Sequence, residues 1–350
     1  MKSKIAYLIP TLEVGGAEVA ALNLAKNSNK FDIKVYPFLG VDEKFIRSFD
    51  LEDRIKYKYT NNIFQLLYVF ISILRLRPEY LVVSLWKSVP IAIACFLFTF
   101  GKIKLVTMIH SDSFFSRCDQ FFLKISCFLS YLVIADSKSS ADFIRKQLRT
   151  SENVKLARFL LRRIPFNPTS FSDFKWRFVF VGRVNPVKRL DLSIDAISNL
   201  RNIGIAATLD IYGTTPDNYY LKSLLKKIDD LSLKGIINFK GAVDNNLVPE
   251  LLSAYDGYFC FSDKEGMAIS VYEAQQAGLI ILGRDIGELR YYCIDEVNSF
   301  ILRDGEGIKS FLSRVVKKID NSKGYDEFYK SYMSSLPKDK LFSERFDSLL

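Results

Sequence analysis

Short apolar runs of strand length recur along the chain, and between them lie stretches long enough for helices. Ile5–Ile9, Ile33–Phe38, Tyr80–Leu85, Lys104–Ile109 and Tyr131–Ala135 make a first series. Arg177–Val181, Ala206–Tyr212, Ile236–Phe239, Gly257–Phe261, Leu279–Leu282 and Ser299–Leu302 make a second. Runs this short and this apolar suit strands buried on both faces, which a parallel sheet covered by helices provides. The spacing predicts an α/β chain with two doubly wound sheets. A length of 350 residues suits two domains. Arg162–Pro168, with two prolines and no periodicity, reads as the linker. The expected domains are therefore 1–165 and 166–330, followed by a helical segment over 331–350.

The stretch Asp263–Gly278, DKEGMAISVYEAQQAG, follows one of these strands and reads as a turn and then a helix ending at Gly278. Glu265 is placed in the turn and Glu273 in the first helical turn. Free N–H groups at a helix start favour anions. Two carboxylates beside them suit a ligand carrying phosphates flanked by hydroxyl-rich rings, as a sugar nucleotide does. A second reading stays open: Ser270 and Glu273 fit an S-x-x-E capping box, which needs no ligand.

Three other places have the same flavour. Gly15-Gly16 closes the loop after the first strand and precedes a helix from Ala17, so backbone can approach a ligand there. His110, the only histidine, ends the Lys104–Ile109 strand, where open α/β sheets bind ligands. Arg183 and Lys188 lie on the loop after Arg177–Val181 and can neutralise a diphosphate, Arg as a fork and Lys as a point charge.

In this order the motifs resemble the retaining glycosyltransferases of family 4, the glycosyl transferases group 1 type. Glu265, Gly266, Glu273, Ala274 and Gly278 match its E-x7-E stretch, Gly182-Arg183 and Lys188 its G-R-x4-K loop, and Gly15-Gly16-Ala17-Glu18 its glycine loop. Met267 and Ala268 stand where the family usually carries an aromatic or Leu and then Pro. The resemblance implies a GT-B architecture of two Rossmann-like domains facing a cleft, and a terminal helix returning to the first domain. It implies transfer of a sugar, with retention, from a nucleotide diphosphate donor, without cofactor or metal and from a UDP-sugar rather than a GDP-sugar. It implies catalytic roles for Glu265 and His110. Donor binding would fall to Gly15, Gly16, Arg183, Lys188, Gly266, Met267, Ala268, Ile269 and Glu273. The sequence has no D-x-D triplet to hold a divalent ion.

Charge is uneven. Residues 1–165 hold 25 Lys and Arg against 14 Asp and Glu, and residues 166–350 hold 24 against 25. The basic half suits nucleic acid, anionic lipid or an acidic substrate, or is no more than a solvated surface; taken with the resemblance it implies an anionic membrane surface and a glycan or lipid-linked acceptor of bacterial surface polysaccharide. A nucleic-acid partner would leave both motifs unexplained. A catalytically silent subunit of the same fold is the competing reading. Met1-Lys-Ser-Lys running straight into a strand predicts no secretory leader. The expected location is the cytoplasm, peripheral on the inner membrane face. Val89–Phe100 and Phe121–Ala135 are too short or too broken to span a bilayer and are expected to be core. Exposed aromatics beside the basic surface would instead rest at a membrane interface. Five scattered cysteines are expected to be buried thiols.

Overall fold

The computed structural model describes residues 2–13, 15–58, 62–148, 153–167, 175–319, 322–336 and 338–350. It divides into two units, Met1–Arg162 with Asp339–Leu350, and Arg163–Lys338.

The first unit holds strands β1 (Ser3–Leu12), β2 (Phe31–Val41), β3 (Tyr80–Ser84), β4 (Lys104–Ile109), β5 (Leu132–Ala135) and β6 (Val154–Leu156). Its helices are α1 (Gly16–Asn27), α2 (Glu43–Arg47), α3 (Asn62–Leu76), α4 (Val89–Phe98), α5 (Arg117–Leu129) and α6 (Lys138–Leu148). The second unit holds strands β7 (Lys175–Val181), β8 (Ala206–Tyr212), β9 (Ile237–Gly241), β10 (Gly257–Cys260), β11 (Ile280–Arg284) and β12 (Ser299–Leu302). Its helices are α7 (Leu190–Asn202), α8 (Asn218–Asp230), α9 (Val248–Leu252), α10 (Ile269–Ala277), α11 (Leu289–Tyr292), α12 (Ile308–Ile319) and α13 (Ser322–Ser335). The last helix, α14 (Phe342–Leu349), belongs to the first unit.

Each unit has one six-stranded parallel sheet, ordered β2-β1-β3-β4-β5-β6 and β12-β11-β10-β7-β8-β9. Both faces of the central strands are covered, so alternate residues go to different cores. Ala6 and Leu8 of β1 pack with Val69, Ile73, Ala92 and Cys95 of α3 and α4. In the second unit the Phe178 and Phe259 rings stack across β7 and β10 at 4.3 Å. Gly213 is required where it stands. Its φ is +149°, and a Cβ there would lie 1.8 Å from the Gly182 carbonyl oxygen, so the loops after β7 and β8 touch only because no side chain intervenes.

The terminal segment differs from expectation. The sequence reading put one helical segment at 331–350. Instead α13 continues to Ser335, its Tyr332 hydroxyl bonding Leu279 O at 2.7 Å within the second unit. Only α14 joins the first unit, where the Asp347 carboxylate accepts from Ser28 Oγ at 2.7 Å and Asn29 N at 2.9 Å. The division falls after Arg162, so residues 163–167 of the proposed linker are part of the second unit, and Pro168 lies outside the described residues.

Two further expectations are corrected. The apolar runs are not wholly core: Leu97, Phe98, Phe100, Phe121, Phe128 and Tyr131 are exposed. Hydropathy alone cannot separate a buried helix from one whose apolar outer face is left uncovered. Cys118 is exposed, while Cys95, Cys127, Cys260 and Cys293 are buried. Among the described residues no helix is long and apolar enough to cross a membrane.

Candidate active site

In the second unit, three loops leave the carboxyl ends of the adjacent strands β7, β10 and β11. The loop after β7 carries Arg183 and Lys188, and the loop after β10 carries Glu265 and leads into α10. Asp263 N–H donates to Val187 O at 2.8 Å and pins the first two loops together. The third loop closes over the second at Gly287. Its φ is +50°, and a Cβ would sit 2.1 Å from Glu265 O, so only glycine permits the approach.

This packing brings two of the predicted residues into contact. Lys188 Nζ donates to Glu265 Oε1 at 2.6 Å, and Ser262 Oγ donates to the same oxygen at 2.6 Å. The side chains are 22% and 11% exposed, so water screens the pair only partly. An ammonium has three N–H donors, and one serves Glu265. Arg183 is exposed, and the described residues show no ion-pair partner for it. A neighbouring cation is already committed: Arg189 pairs with Asp191 and Asp263, and Asp263 also pairs with Arg284.

Helix α10 begins beside Glu265. Its N-cap is Ala268, in the left-handed region at φ +50°, and no side chain caps it. The helix start therefore presents backbone N–H groups with no capping side chain, as an anion site requires. This removes the capping-box reading. Ser270 lies inside the helix, and its Oγ is 2.8 Å from the Tyr258 hydroxyl. Glu273 is in the second helical turn rather than the first, and it is buried. The Met267 side chain is also buried, so backbone is what Met267 can offer a ligand; its carbonyl accepts from Tyr292 Oη at 3.2 Å. Gly266, Ala268 and Ile269 are half-buried along the same edge. Beneath the loop, burial foremost, with the Glu265 carboxylate adding, pushes the Cys260 thiol up to about 12. That thiol is inert at neutral pH.

The first unit gathers a second cluster, again at strand carboxyl ends. His110, just past β4, places Nε2 2.8 Å from Ser84 Oγ at the end of β3. Its Nδ1 is 3.3 Å from Asp136 Oδ2, just past β5. A carboxylate can only accept, so Nδ1 carries the proton, and the Nε2 of a neutral ring accepts from the Ser84 hydroxyl. Asp136 Oδ1 is buried without a partner among the described residues, as is the Tyr7 hydroxyl from β1. Burial raises the Tyr7 pKa; Glu18 and Asp136 add to this, while Ser84 opposes. Phe159 backs the imidazole at 5.4 Å and is itself packed by Phe342 of α14 at 4.7 Å. Gly15 is the N-cap of α1, and a Cβ there would meet the Glu18 carboxylate at 2.3 Å; Gly16 opens the helix.

Ser84, Asp136, Tyr7 and Ser262 were not singled out from sequence. Ser84 and Asp136 could have been, because each ends a predicted strand, the rule that selected His110. Tyr7 sits in mid-strand and gave no such signal. Among the described residues no group of three or more His, Cys, Asp and Glu side chains is placed to hold a metal ion.

Residues 164–332 match the family model described as Glycosyl transferases group 1. The second unit is a glycosyl transferases group 1 domain. No curated protein matches the sequence. Solved structures similar to the whole chain include Alr3699/HepE from Anabaena in complex with UDP, 17% identical, with a TM-score of 0.75 over 99% of each chain. The same protein with UDP-glucose gives 0.71. A glycosyltransferase from Rickettsia africae is 12% identical, with a TM-score of 0.75 over 99% of this chain and 97% of that one. The lipopolysaccharide outer core galactosyltransferase WaaB is 14% identical, with a TM-score of 0.69 over 99% and 98%. These likenesses establish the fold. The two parallel six-stranded sheets with their helices are the α/β architecture of GT-B glycosyltransferases.

Proposed function

We propose that the protein is a family 4 glycosyltransferase that moves a sugar from a UDP-sugar to a glycan or lipid-linked acceptor of bacterial surface polysaccharide, with retention and without metal. One observation carries the reading. The Lys188–Glu265 pair stands beside the uncapped start of α10, with Arg183 unpaired on the same loop as Lys188. It lies within the segment that matches the glycosyltransferase model. UDP and UDP-glucose in HepE support the donor, and WaaB, named for lipopolysaccharide, supports the acceptor class.

In this reading Arg183, Lys188 and the α10 N–H groups stabilise negative charge on the departing diphosphate electrostatically. Glu265 holds hydroxyls of the donor sugar, and Lys188 fixes its rotamer. Glu273 holds the ribose hydroxyls. His110, its proton fixed on Nδ1 by Asp136, is assigned a catalytic role. Gly15 and Gly16 leave backbone open to close approach by a ligand.

Purified protein would be screened against UDP- and GDP-sugars by thermal shift, since a bound donor raises the melting temperature by mass action. Turnover and the anomer of the product would then be read by NMR. UDP-sugars should give the larger shift, the product should keep the donor's anomeric configuration, and activity should survive EDTA. Donor binding without turnover on any glycan or lipid-linked acceptor supports the silent-subunit reading instead. Loss of activity in EDTA with rescue by Mg²⁺ or Mn²⁺ overturns the metal-free assignment.

A further inference from the structure

Helices α3 and α4 have almost no polar side. Between Ile63 and Leu74 the only non-apolar residues besides Tyr68 are Gln65 and Ser72, and Gln65 is buried, its amide donating to Pro37 O at 3.0 Å. Between Val89 and Phe98 there is no polar residue apart from Cys95. An ordinary surface helix turns charged residues outward; a helix that is apolar all round is covered by something. Here the outer faces are bare. Ile63, Phe64, Leu67 and Ile71 of α3 are exposed, as are Leu97 and Phe98 of α4. Phe100 is 92% exposed and Phe128 of α5 86%.

These residues belong to one surface. Helices α3, α4 and α5 pack side by side against the first sheet, with Phe70 of α3 and Phe98 of α4 edge to face at 5.7 Å. Each is a crossover between parallel strands, so all three run the same way, and their C-terminal ends share one edge of the unit. Arg75, Arg77 and Lys102 stand at or just past the C-terminal ends of α3 and α4 at that edge, exposed and without ion-pair partners among the described residues. Lys4, Arg75 and Arg77 line a surface hollow beside Ile71 and Leu74. Lys87 and Lys124 stand against aromatic rings, Trp86 at 6.0 Å and Phe114 at 5.9 Å. From residue 62 to residue 102 the one acidic side chain is Glu79, and it is paired with Lys104.

We propose that the outer face of α3, α4 and α5 is a docking surface that seats on an anionic lipid bilayer. Aromatic and aliphatic side chains enter the interface while the cations at the edge meet phosphate headgroups. The hollow beside Arg75 and Arg77 has the chemistry of a headgroup seat. A second copy of this chain fits less well, because from residue 62 to residue 102 the face offers one carboxylate, Glu79, already paired with Lys104, to meet Arg75, Arg77 and Lys102 of the other copy. The proposal is independent of the donor chemistry, since lipid binding is measured without donor.

The test is flotation of the full chain with vesicles of phosphatidylcholine alone or with roughly 30% phosphatidylglycerol, a composition that sets a negative surface potential. The protein should bind the phosphatidylglycerol vesicles more tightly, and high salt should weaken that binding. Arg75→Gln with Lys102→Gln should weaken it about twenty-five-fold, at roughly fivefold per cation. Phe100→Ser with Phe128→Ser should weaken it at least tenfold. Both double variants should keep the wild-type melting temperature and UDP affinity, which separates the result from misfolding and from any failure of the transferase reading. Absence of vesicle binding, equal affinity for both compositions, or wild-type binding by the variants overturns the proposal. So does a dimer that the Phe variant dissociates while neither form floats.

Discussion

Lys188 and Glu265 make the sharpest test of the donor site, because each is needed by the other before any donor arrives. Their contact is 2.6 Å, and Ser262 adds a second bond to the same carboxylate oxygen. Ion pairs fully in solvent couple by about 0.2–1 kcal/mol, while breaking a buried pair costs about 3–5 kcal/mol. At 22% and 11% exposure this pair falls between those limits, so a coupling of about 2 kcal/mol follows. For a unit the size of Arg163–Lys338, each kcal/mol moves the melting temperature by roughly 2–4 °C. Lys188→Met and Glu265→Gln should each lower it by about 4–8 °C, and the double variant should fall by clearly less than their sum. Function should separate the two side chains. Lys188→Met removes a charge-assisted contact to the diphosphate, worth about 1.5–3 kcal/mol, so UDP affinity and transfer should both fall at least tenfold. Glu265→Gln frees the Lys188 ammonium, so UDP affinity should hold or rise while transfer falls. Melting temperatures that simply add would mean the pair is not formed in solution. Unchanged UDP affinity in Lys188→Met would refute the diphosphate assignment.

Further outcomes can be stated for the rest of the molecule. Glu273→Gln should weaken UDP binding about tenfold through lost ribose contacts; a lower melting temperature with unaltered affinity would make Glu273 a purely structural residue. Asp136→Asn should let the Nδ1 proton leave, because an amide can donate where a carboxylate cannot. The chain has one histidine, so ¹⁵N NMR reads its tautomer without ambiguity. An unchanged tautomer would remove Asp136 as its positioning residue, and transfer should drop at least tenfold if the tautomer does change. Burial alone would raise the Asp295 carboxyl, but the Ile301 N–H and the Arg303 and Arg314 guanidinium groups outweigh it and hold it below the usual carboxylate range. Glu306 is likewise lowered, chiefly by Arg314 against the effect of burial. Lowered carboxyls add stability that is present at neutral pH and is lost as pH falls below about 4 through their folded values. Arg314→Met should therefore melt well below wild type at pH 7, with the gap narrowing progressively as the pH falls below about 4; a gap that does not narrow in acid would contradict this.

The sheets were legible because parallel strands must be apolar on both faces, which leaves a signal in every strand. Lys104–Ile109, Ala206–Tyr212 and Ser299–Leu302 agree with the structure residue for residue. The missed strand, Val154–Leu156, is three residues long at the sheet edge, with Lys155 exposed, so no apolar run marks it. The strand–loop–helix layout of the two motifs was legible because it is contiguous: Arg183 to Lys188 and Glu265 to Glu273 each lie on one short piece of chain. That Lys188 would meet Glu265, 77 residues away, was not. The strand order that sets β7 beside β10 is a matter of topology, and no local pattern carries it.

The same limit explains why the first unit reads so differently from the second, although both have one six-stranded parallel sheet. In the second unit, charged side chains on loops neutralise one another, as Arg189, Asp263 and Arg284 do, and the large aromatics stack inside the core. In the first unit, the polar cluster is small and deeply set, from Ser84, His110, Asp136 and Tyr7, while many large apolar residues remain outside. Hydropathy sees only that α3 and α4 are apolar, and burial is the usual consequence. Packing shows that the sheet takes up one side of each helix and that nothing in the described chain covers the other. Folding stability gains little from Phe100 or Phe128 being apolar, since each buries only a small part of its surface within the chain. The proposed bilayer contact would account for their apolar character, and the cations along the same edge would give that contact its sign.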